Sequence, residues 1–280
     1  MNFILTFGLL IEMKELNNHY TIALKASVLA ADEIMRVYHT SFQKELKSDG
    51  SPVTEADKRA SAIIINELRQ TEIPIISEEE LKENFEIRQS WKTVWIVDPL
   101  DGTKEFIKQN DEFAVNIALV ENGNPVFGLI ASPVEQTILF GGKEIGCFIA
   151  PFNAIDSPNN WTKLTAKELN NPVVLTSSRT PNFELFSPLI EEIKSKKDID
   201  FIKKGSALKF FDLAQGWADV YPRFAPTMEW DIAAGQAILE ALGGKVLDVN
   251  TGKPLTYNKE SLYNPHFIAK TKAFINCFGE

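Results

Sequence analysis

The chain has 280 residues, of which 44% are hydrophobic and 24% are charged, so it is long enough to bury a full core as one or two globular domains. Its formal net charge of −9 excludes a protein that holds a nucleic-acid polymer along a basic surface, although a small anion can still bind where metal ions reverse the local field. The two cysteines, Cys147 and Cys277, form no CxxC pair, which argues against a disulfide framework or a thiolate zinc site and predicts a reducing, cytoplasmic compartment.

The first eleven residues, MNFILTFGLLI, form an apolar run. This run lacks a basic start and a small-residue cleavage site, and Glu12 ends it well short of the ~20 residues needed to cross a bilayer. We therefore interpret the run as a packed or frayed extension. It predicts membrane association that is at most peripheral, at the inner face, and leaves Met13 as an alternative start.

Two helices are predicted in the first part of the chain. Apolar residues recur at helical spacing over residues 14–38, which is typical of an amphipathic helix. Thr54 and Asp57 fit the capping pattern [ST]-x-x-[DE] at the start of a second helix. As a cap, Asp57 would only accept a backbone N–H; a functional role would require a partner elsewhere in the chain.

Two apolar segments run directly into carboxylates. Residues 73–77 lead into three glutamates beginning at Glu78, and residues 94–97 lead into DPLDGT at 98–103. Strand ends are where α/β folds build their sites, and two aspartates with the Leu100 carbonyl between them offer the hard oxygen atoms that Mg²⁺ prefers. The alternatives are a solvated charge run and an ordinary acidic turn.

The remaining pattern predicts the fold class. Four strand-like runs separated by short turn signals predict an antiparallel meander over residues 113–150, and strands then alternate with helices after residue 173. The stretch 151–171 has no sustained periodicity. We therefore predict an α+β metal-binding domain over 1–155 and an α/β domain over 156–280 that completes the substrate site.

Two predicted helix starts in the second half carry candidate residues. Gly205-Ser206 is predicted to open a helix whose free N–H groups favour an anion, with Lys209 one turn further on to add positive charge. Asp231 is predicted to lie near the start of a helix over residues 230–242, where an N-terminal cap is the alternative.

Four motifs, in order, resemble one enzyme superfamily. They are TEAD at 54–57, SEE at 77–79, DPLDGT at 98–103 and WDIAAG at 230–235. Together they resemble the lithium-sensitive, magnesium-dependent phosphomonoesterases, which include inositol monophosphatases and fructose bisphosphatases. This resemblance implies a layered α/β/α/β/α sandwich of the sugar-phosphatase type.

Three further stretches resemble the 3′(2′),5′-bisphosphate nucleotidase branch of that superfamily, in particular its bacterial CysQ-type members. They are KEF at 104–106, GSALKF at 205–210 and ADVYPRFAPTMEWD at 218–231. Some members carry a histidine near the base, where this chain has Ser-Ser-Arg-Thr at 177–180.

The resemblance also implies roles for individual residues. The implied cofactor is Mg²⁺, with two to three ions held by Glu78, Asp98, Asp101, Asp231 and the Leu100 carbonyl. Asp57 and Thr103 match the pair that orients and deprotonates the attacking water. The residues implied to bind substrate are Glu78, Gly102, Thr103, Gly205, Ser206, Lys209, Arg223 and Asp231.

The implied function is Mg²⁺-dependent hydrolysis of a small nucleotide, adenosine 3′,5′-bisphosphate (PAP) or its sulfated form PAPS, to AMP or APS and phosphate, within sulfur metabolism. A phosphomonoester dianion repels nucleophiles, so its hydrolysis needs cations on the phosphoryl oxygens. The alternatives are an inositol phosphate or fructose 1,6-bisphosphate as substrate, and a catalytically silent, metal-dependent binding module. The presence of both Asp57 and Thr103 argues against the silent module.

Overall fold

A computed structural model describes residues 16–42, 44–47, 50–179 and 183–279, so the apolar run at the start of the chain and Met13 lie outside the described residues. The α-helices described are α1 (Asn18–Tyr38), α2 (Glu55–Leu68), α3 (Phe85–Arg88), α4 (Thr103–Ile107), α5 (Ser187–Lys194), α6 (Lys209–Gln215), α7 (Glu229–Ala241) and α8 (Lys272–Phe278). The strands described are β1 (Lys44–Leu46), β2 (Pro52–Thr54), β3 (Ile75–Ser77), β4 (Thr93–Asp101), β5 (Ala114–Glu121), β6 (Asn124–Ser132), β7 (Thr137–Gly142), β8 (Gly146–Pro151), β9 (Thr162–Leu164), β10 (Val173–Ser177), β11 (Ile199–Lys203), β12 (Val220–Arg223), β13 (Lys245–Asp248) and β14 (Phe267–Lys270).

The strands form two large sheets and a small hairpin of β1 and β2. The first large sheet has the strand order β3-β4-β5-β6-β7-β8-β9, in which β3 and β4 are parallel and the other neighbours antiparallel. The second has the order β11-β10-β12-β14-β13, with parallel pairing from β11 to β12 and antiparallel pairing beyond. The predicted meander and the predicted strand–helix alternation are both confirmed. Because β9 pairs with β8, the first sheet continues to Leu164; the division into domains near residue 155 stays a prediction.

The two sheets and their helices stack in five layers. In β4, Trp95 and Val97 face the cluster that includes α1 and α2, whereas Val94 and Ile96 face the opposite cluster, which includes α6 and α7. This alternation follows from the two-residue period of a strand buried on both faces. A third cluster lies between the second sheet and helices α5 and α8. The α/β/α/β/α sandwich is therefore confirmed.

Helix α7 lies in the middle layer, between the two sheets, and packs closely on the first one. A Cβ atom at Gly128 in β6 would lie 2.2 Å from the carbonyl oxygen of Ala234 in α7, so only glycine permits this approach. The contact fixes the distance between α7 and the sheet, and it thereby fixes the position of the residues in the first turn of α7. Among the described residues, no helix is both long and apolar enough to cross a membrane.

We expect Gly128→Ala to lower the free energy of unfolding by about 1–3 kcal/mol, because the added methyl group collides with the backbone of α7 and forces it away from the sheet. Urea denaturation followed by circular dichroism measures the change. The matched control is Ser261→Thr, which adds a methyl group at an exposed loop residue and retains the hydroxyl that accepts the Tyr263 N–H. Equal stability of the two variants would contradict the close-packing account.

Candidate active site

The first four residues of the DPLDGT stretch lie on a bulged strand, whereas the sequence predicted that the strand ends before them. β4 continues to Asp101, and its pairing with β5 shifts between Asp98, opposite Asn116, and Asp101, opposite Ala114. Four residues of β4 thus face three of β5, which is a β-bulge. In a regular strand, side chains three positions apart point to opposite faces, so the extra residue lets Asp98 and Asp101 share one side. The Leu100 N–H donates to Asp98 Oδ1 at 3.0 Å.

Asp231, in the first turn of α7, completes a group of three carboxylates. One oxygen atom from each of Asp98, Asp101 and Asp231 lies within 4.8 Å of the others. Burial, followed by the charge of Asp101, raises the pKa of Asp231 to about 8. Burial also raises the pKa of Asp101, and burial with the neighbouring carboxylates raises that of Asp98 well above its ordinary value. The structure therefore brings together three of the predicted metal ligands, and a cation would relieve their repulsion.

Asp231 also serves as a helix cap, the alternative weighed from the sequence. Its Oδ2 accepts the Met228 N–H at 2.8 Å, which satisfies one donor at the start of α7. The cap uses one oxygen of Asp231, and the other oxygen remains for binding a cation together with Asp98 and Asp101. The cap and the predicted ligand role are therefore compatible.

Glu78 follows β3 at the edge of this group, where its Oε1 accepts from Lys47 Nζ at 2.7 Å. The same ammonium donates to Glu79 Oε1 at 2.5 Å. Although burial opposes the charged form, these two hydrogen bonds raise the pKa of Lys47. Lys47 was not predicted, because nothing in its local sequence distinguishes it from a surface lysine. In the described conformation Glu78 is thus paired with a cation of the chain itself.

Asp57 and Thr103 form the pair that the sequence suggested. Thr103 Oγ1 donates to Asp57 Oδ1 at 2.8 Å, and it also lies 3.3 Å from the carbonyl oxygen of Leu100. Asp57 Oδ2 accepts from the N–H and the hydroxyl of Thr54 at 2.7 and 2.6 Å, so the predicted capping box is confirmed. Burial raises the pKa of Asp57 against these hydrogen bonds. Asp57 therefore caps α2 with one oxygen and contacts Thr103 with the other.

The predicted helix start at Gly205-Ser206 is wrong. α6 begins at Lys209, because Ser206 has a φ of +54°, in the left-handed region that helices do not use. The Gly205 N–H donates to Glu112 Oε2 at 2.7 Å, and the Ala207 N–H donates to Asp101 Oδ2 at 2.5 Å. These N–H groups hold carboxylates of the chain, and the predicted anion contact of Gly205 and Ser206 stays a prediction.

Lys209 is buried beneath the site. Its ammonium donates to the carbonyl oxygens of Lys204 and Ser206 at 3.2 and 2.5 Å and lies 5.0 Å from the Tyr221 ring centroid. Burial lowers the pKa of Lys209 to about 8. The side chain thus supports the turn before α6, and its predicted contact with substrate stays a prediction.

A cavity of about 400 Å³ opens beside Asp101 and Asp231, and Gly102 and Ser206 form part of its wall. Gly102 has a φ of +96°, and a Cβ atom there would lie 2.9 Å from the carbonyl oxygen of Glu112, so glycine is required at this turn. The rest of the lining consists of Glu105, several neutral residues and five cationic side chains: Lys104, Lys108, Arg179, Lys209 and Arg223.

Several of these cavity residues were missed from the sequence. Lys104 and Lys108 are four residues apart around α4, and that spacing after DPLDGT was an available signal. Arg179 had no such signal, and neither had its partner Glu112, which is outside the lining of this cavity. The two residues are distant in sequence, and Arg179 donates from Nε and Nη2 to the two oxygens of Glu112, both at 2.8 Å. The whole arrangement can hold a cation and a phosphate side by side.

The chain is similar to known proteins in both sequence and fold. The sequence matches the model of the inositol monophosphatase family over residues 15–275. It is 38% identical over 243 residues to the 3′(2′),5′-bisphosphate nucleotidase CysQ of Escherichia coli K12, covering 85% of this chain and 94% of that relative.

Solved structures give the same result. The structure resembles that of CysQ from Bacteroides thetaiotaomicron with a TM-score of 0.79 and 38% identity, covering 91% of this chain and 97% of that chain. The inositol monophosphatase of Anabaena shares the fold, with a TM-score of 0.66, 22% identity and 92% of each chain covered. The chain therefore belongs to the inositol monophosphatase family.

Proposed function

We propose that the protein is a Mg²⁺-dependent phosphomonoesterase that removes the 3′-phosphate from adenosine 3′,5′-bisphosphate, and in the same way from its sulfated form. The nucleotidase relatives support this activity. The single observation that carries it is the cavity itself, where Asp101 and Asp231 share the lining with five lysine and arginine side chains and one further carboxylate, that of Glu105. In a chain of net charge −9, this local positive wall suits a substrate with a second anionic group remote from the scissile bond.

The residues present fit Mg²⁺ by the chemistry of their donor set. Three carboxylates whose charges oppose one another, one of them buried and two half-buried, with the Leu100 carbonyl beside them, are hard oxygen donors for a small cation. Asp98, Asp101, Asp231 and Leu100 would hold the metal, and Glu78 would join them when it leaves Lys47; we propose two to three ions. Bound Mg²⁺ would supply charge neutralisation at the phosphoryl group and activation of water.

The protein's own part in the reaction is to place and deprotonate the attacking water. The Thr103 hydroxyl directs its hydrogen to Asp57 Oδ1, so its oxygen lone pairs face away from Asp57 and can accept a proton from water. Thr54 fixes the opposite oxygen of Asp57. Because burial raises the pKa of Asp57, its carboxylate is a stronger base than an exposed aspartate. Proton transfer runs from water to Thr103 and from Thr103 to Asp57.

Arg223 and the lysines of α4 are proposed to bind the remote phosphate. Arg223 ends β12 and lines the cavity. Its Nη2 lies 3.4 Å from the carbonyl oxygen of Pro226, and its Nε is buried without a hydrogen-bond partner among the described residues.

Cys147 and Cys277 are free thiols, and we propose a reducing, cytoplasmic location.

We expect Asp101→Asn to reduce Mg²⁺-dependent phosphate release from adenosine 3′,5′-bisphosphate by about 10²-fold or more, because a lost anionic ligand misplaces both the cation and the phosphoryl group. Initial rates at saturating Mg²⁺ measure the loss. Asp200→Asn is the matched control: it changes an exposed aspartate that accepts the Phe201 N–H, and its rate should equal the wild-type rate. A variant Asp101→Asn with most of its activity would contradict the assignment.

Adenosine 3′-monophosphate should be a much poorer substrate than the bisphosphate, since remote binding energy helps to position the reacting group. Arg223→Ala should narrow the difference in kcat/KM between the two nucleotides by about tenfold or more, as expected for loss of a charge-assisted contact. Steady-state kinetics of both substrates with both proteins tests this. An equal decrease for the two nucleotides would show that Arg223 does not bind the 5′-phosphate.

The raised pKa values predict how Mg²⁺ binding depends on pH. When folding raises the pKa of a carboxylate, the group stabilises the folded state at pH values below its unfolded pKa of about 4. This contribution is lost as the pH rises to the folded pKa, which for Asp231 is about 8. The ion-free protein should therefore lose stability between about pH 5 and pH 8. Mg²⁺ replaces the bound protons, so its stabilising effect should grow over the same range.

Thermal unfolding midpoints at several pH values, in Mg²⁺ and in a chelator, measure this growth. Asp231→Asn should reduce the pH dependence, because it removes the carboxylate whose pKa is about 8. The prediction would be contradicted if the Mg²⁺-induced shift of the unfolding midpoint were constant from about pH 5 to about pH 8.5, or larger at the lower pH.

A further inference from the structure

Glu112 has no role in the proposed reaction, yet its carboxylate contacts two residues of the second half of the chain, Arg179 and Gly205. It lies in the loop between α4 and β5, next to Asp111, whose φ is +68°. Asp111 Oδ1 accepts the hydroxyl hydrogen of Tyr38 at 2.8 Å, and the Asp111 N–H returns to the same hydroxyl at 3.3 Å. The end of α1 thereby anchors the loop and fixes where Glu112 lies.

The carboxylate of Glu112 joins this loop to the second half of the chain. Arg179 donates to both of its oxygens, each at 2.8 Å, which is the bidentate geometry of a strong ion pair. The Gly205 N–H donates to Oε2 at 2.7 Å. A Cβ atom at Gly205 would lie 3.0 Å from Oε2, so the backbone and the carboxylate are in close contact.

The two residues after Gly205 contact Asp101, one of the three carboxylates of the site. Ser206, with its φ of +54°, places its hydroxyl 2.7 Å from Asp101 Oδ2, and the Ala207 N–H donates to the same oxygen at 2.5 Å. A non-glycine residue with this backbone conformation needs support from its surroundings. Glu112 supports the turn from one side and Asp101 from the other.

We propose that Glu112 is a positioning residue for the metal ligands. It holds the turn 205–207 against Asp101, so that Ser206 and Ala207 join Asn116 as donors to Oδ2 and Oδ1 is left for the cation. Arg179 balances the charge of Glu112 and keeps its carboxylate on the Gly205 N–H. A carboxylate limited to one free oxygen favours Mg²⁺, which is small and octahedral, over Ca²⁺, which accepts bidentate carboxylates and more ligands. This inference rests on the proposed Mg²⁺ site.

Titration calorimetry of the ion-free protein with Mg²⁺ and, separately, with Ca²⁺ tests the proposal without any turnover. Glu112→Ala should raise the Mg²⁺ dissociation constant about tenfold, the usual effect of losing a group that orients a ligand, and leave that for Ca²⁺ unchanged or lower. Glu112→Gln keeps an acceptor for the Gly205 N–H and loses the ion pair with Arg179, so its effect on Mg²⁺ should be smaller and in the same direction. Glu135→Gln, at an exposed position in the turn between β6 and β7, should bind both ions as wild type does.

Unchanged Mg²⁺ affinity in Glu112→Ala would overturn the proposal, as would an equal loss of Mg²⁺ and Ca²⁺ affinity, which indicates general loosening of the site. If Glu112→Ala fails to fold, Glu112→Gln decides by the same ratio of the two dissociation constants. The proposed substrate is tested separately: a wild-type protein that binds Mg²⁺ and does not hydrolyse the nucleotide refutes the nucleotidase activity and leaves the role of Glu112 to the calorimetry. A wild-type protein that does not bind Mg²⁺ refutes both.

Discussion

The repulsion among three carboxylates, one buried and two half-buried, is the constraint around which this structure is built. Asp98, Asp101 and Asp231 present oxygen atoms within 4.8 Å of one another, and desolvation together with the neighbouring negative charges raises the pKa values of all three. Such an arrangement costs stability unless protons or cations neutralise it. The arrangement is worth its cost when the bound cation takes part in catalysis. Here the Asp57–Thr103 pair and the lysine and arginine side chains of the cavity lie beside the three carboxylates.

The layers of the fold hold this group together. The bulge in β4 puts Asp98 and Asp101 on one side of the first sheet, and α7 brings Asp231 over the same sheet at a distance that Gly128 permits. Because α7 lies between the two sheets, the carboxylates come from both halves of the chain. Packing in the middle layer and ligand geometry are consequently linked, so changes far from the cavity can alter the site.

The sequence predicted those parts that depend on short-range patterns. The capping box at Thr54, the antiparallel meander and the strand–helix alternation follow from local spacing, and the structure confirms each. The β4 bulge was not predicted, because Asp-Pro and a glycine after the second aspartate read equally well as a turn. The start of α6 was placed too early because the left-handed conformation of Ser206 depends on Asp101, which is 105 residues away.

Long-range partners account for the rest of what sequence reasoning missed. Lys47 pairs with Glu78 and Arg179 pairs with Glu112, and no local pattern marks either cation, since both contacts exist only after the two halves have folded together. The Asp57–Thr103 contact spans 46 residues, and it was predicted only because the motifs containing these residues resemble a known family. Carboxylates at strand ends can therefore be predicted from a single sequence, whereas the groups that position them are difficult to predict because their contacts are long-range.

The most direct test of the central claim is the rate of phosphate release by the wild-type protein from adenosine 3′,5′-bisphosphate and from inositol monophosphate, each with Mg²⁺ and with a chelator. Our account predicts that release from the nucleotide requires Mg²⁺ and exceeds release from inositol monophosphate by about 10²-fold or more in kcat/KM, because the cationic wall binds the second phosphate. Equal rates with and without Mg²⁺, or a preference for inositol monophosphate, would contradict it.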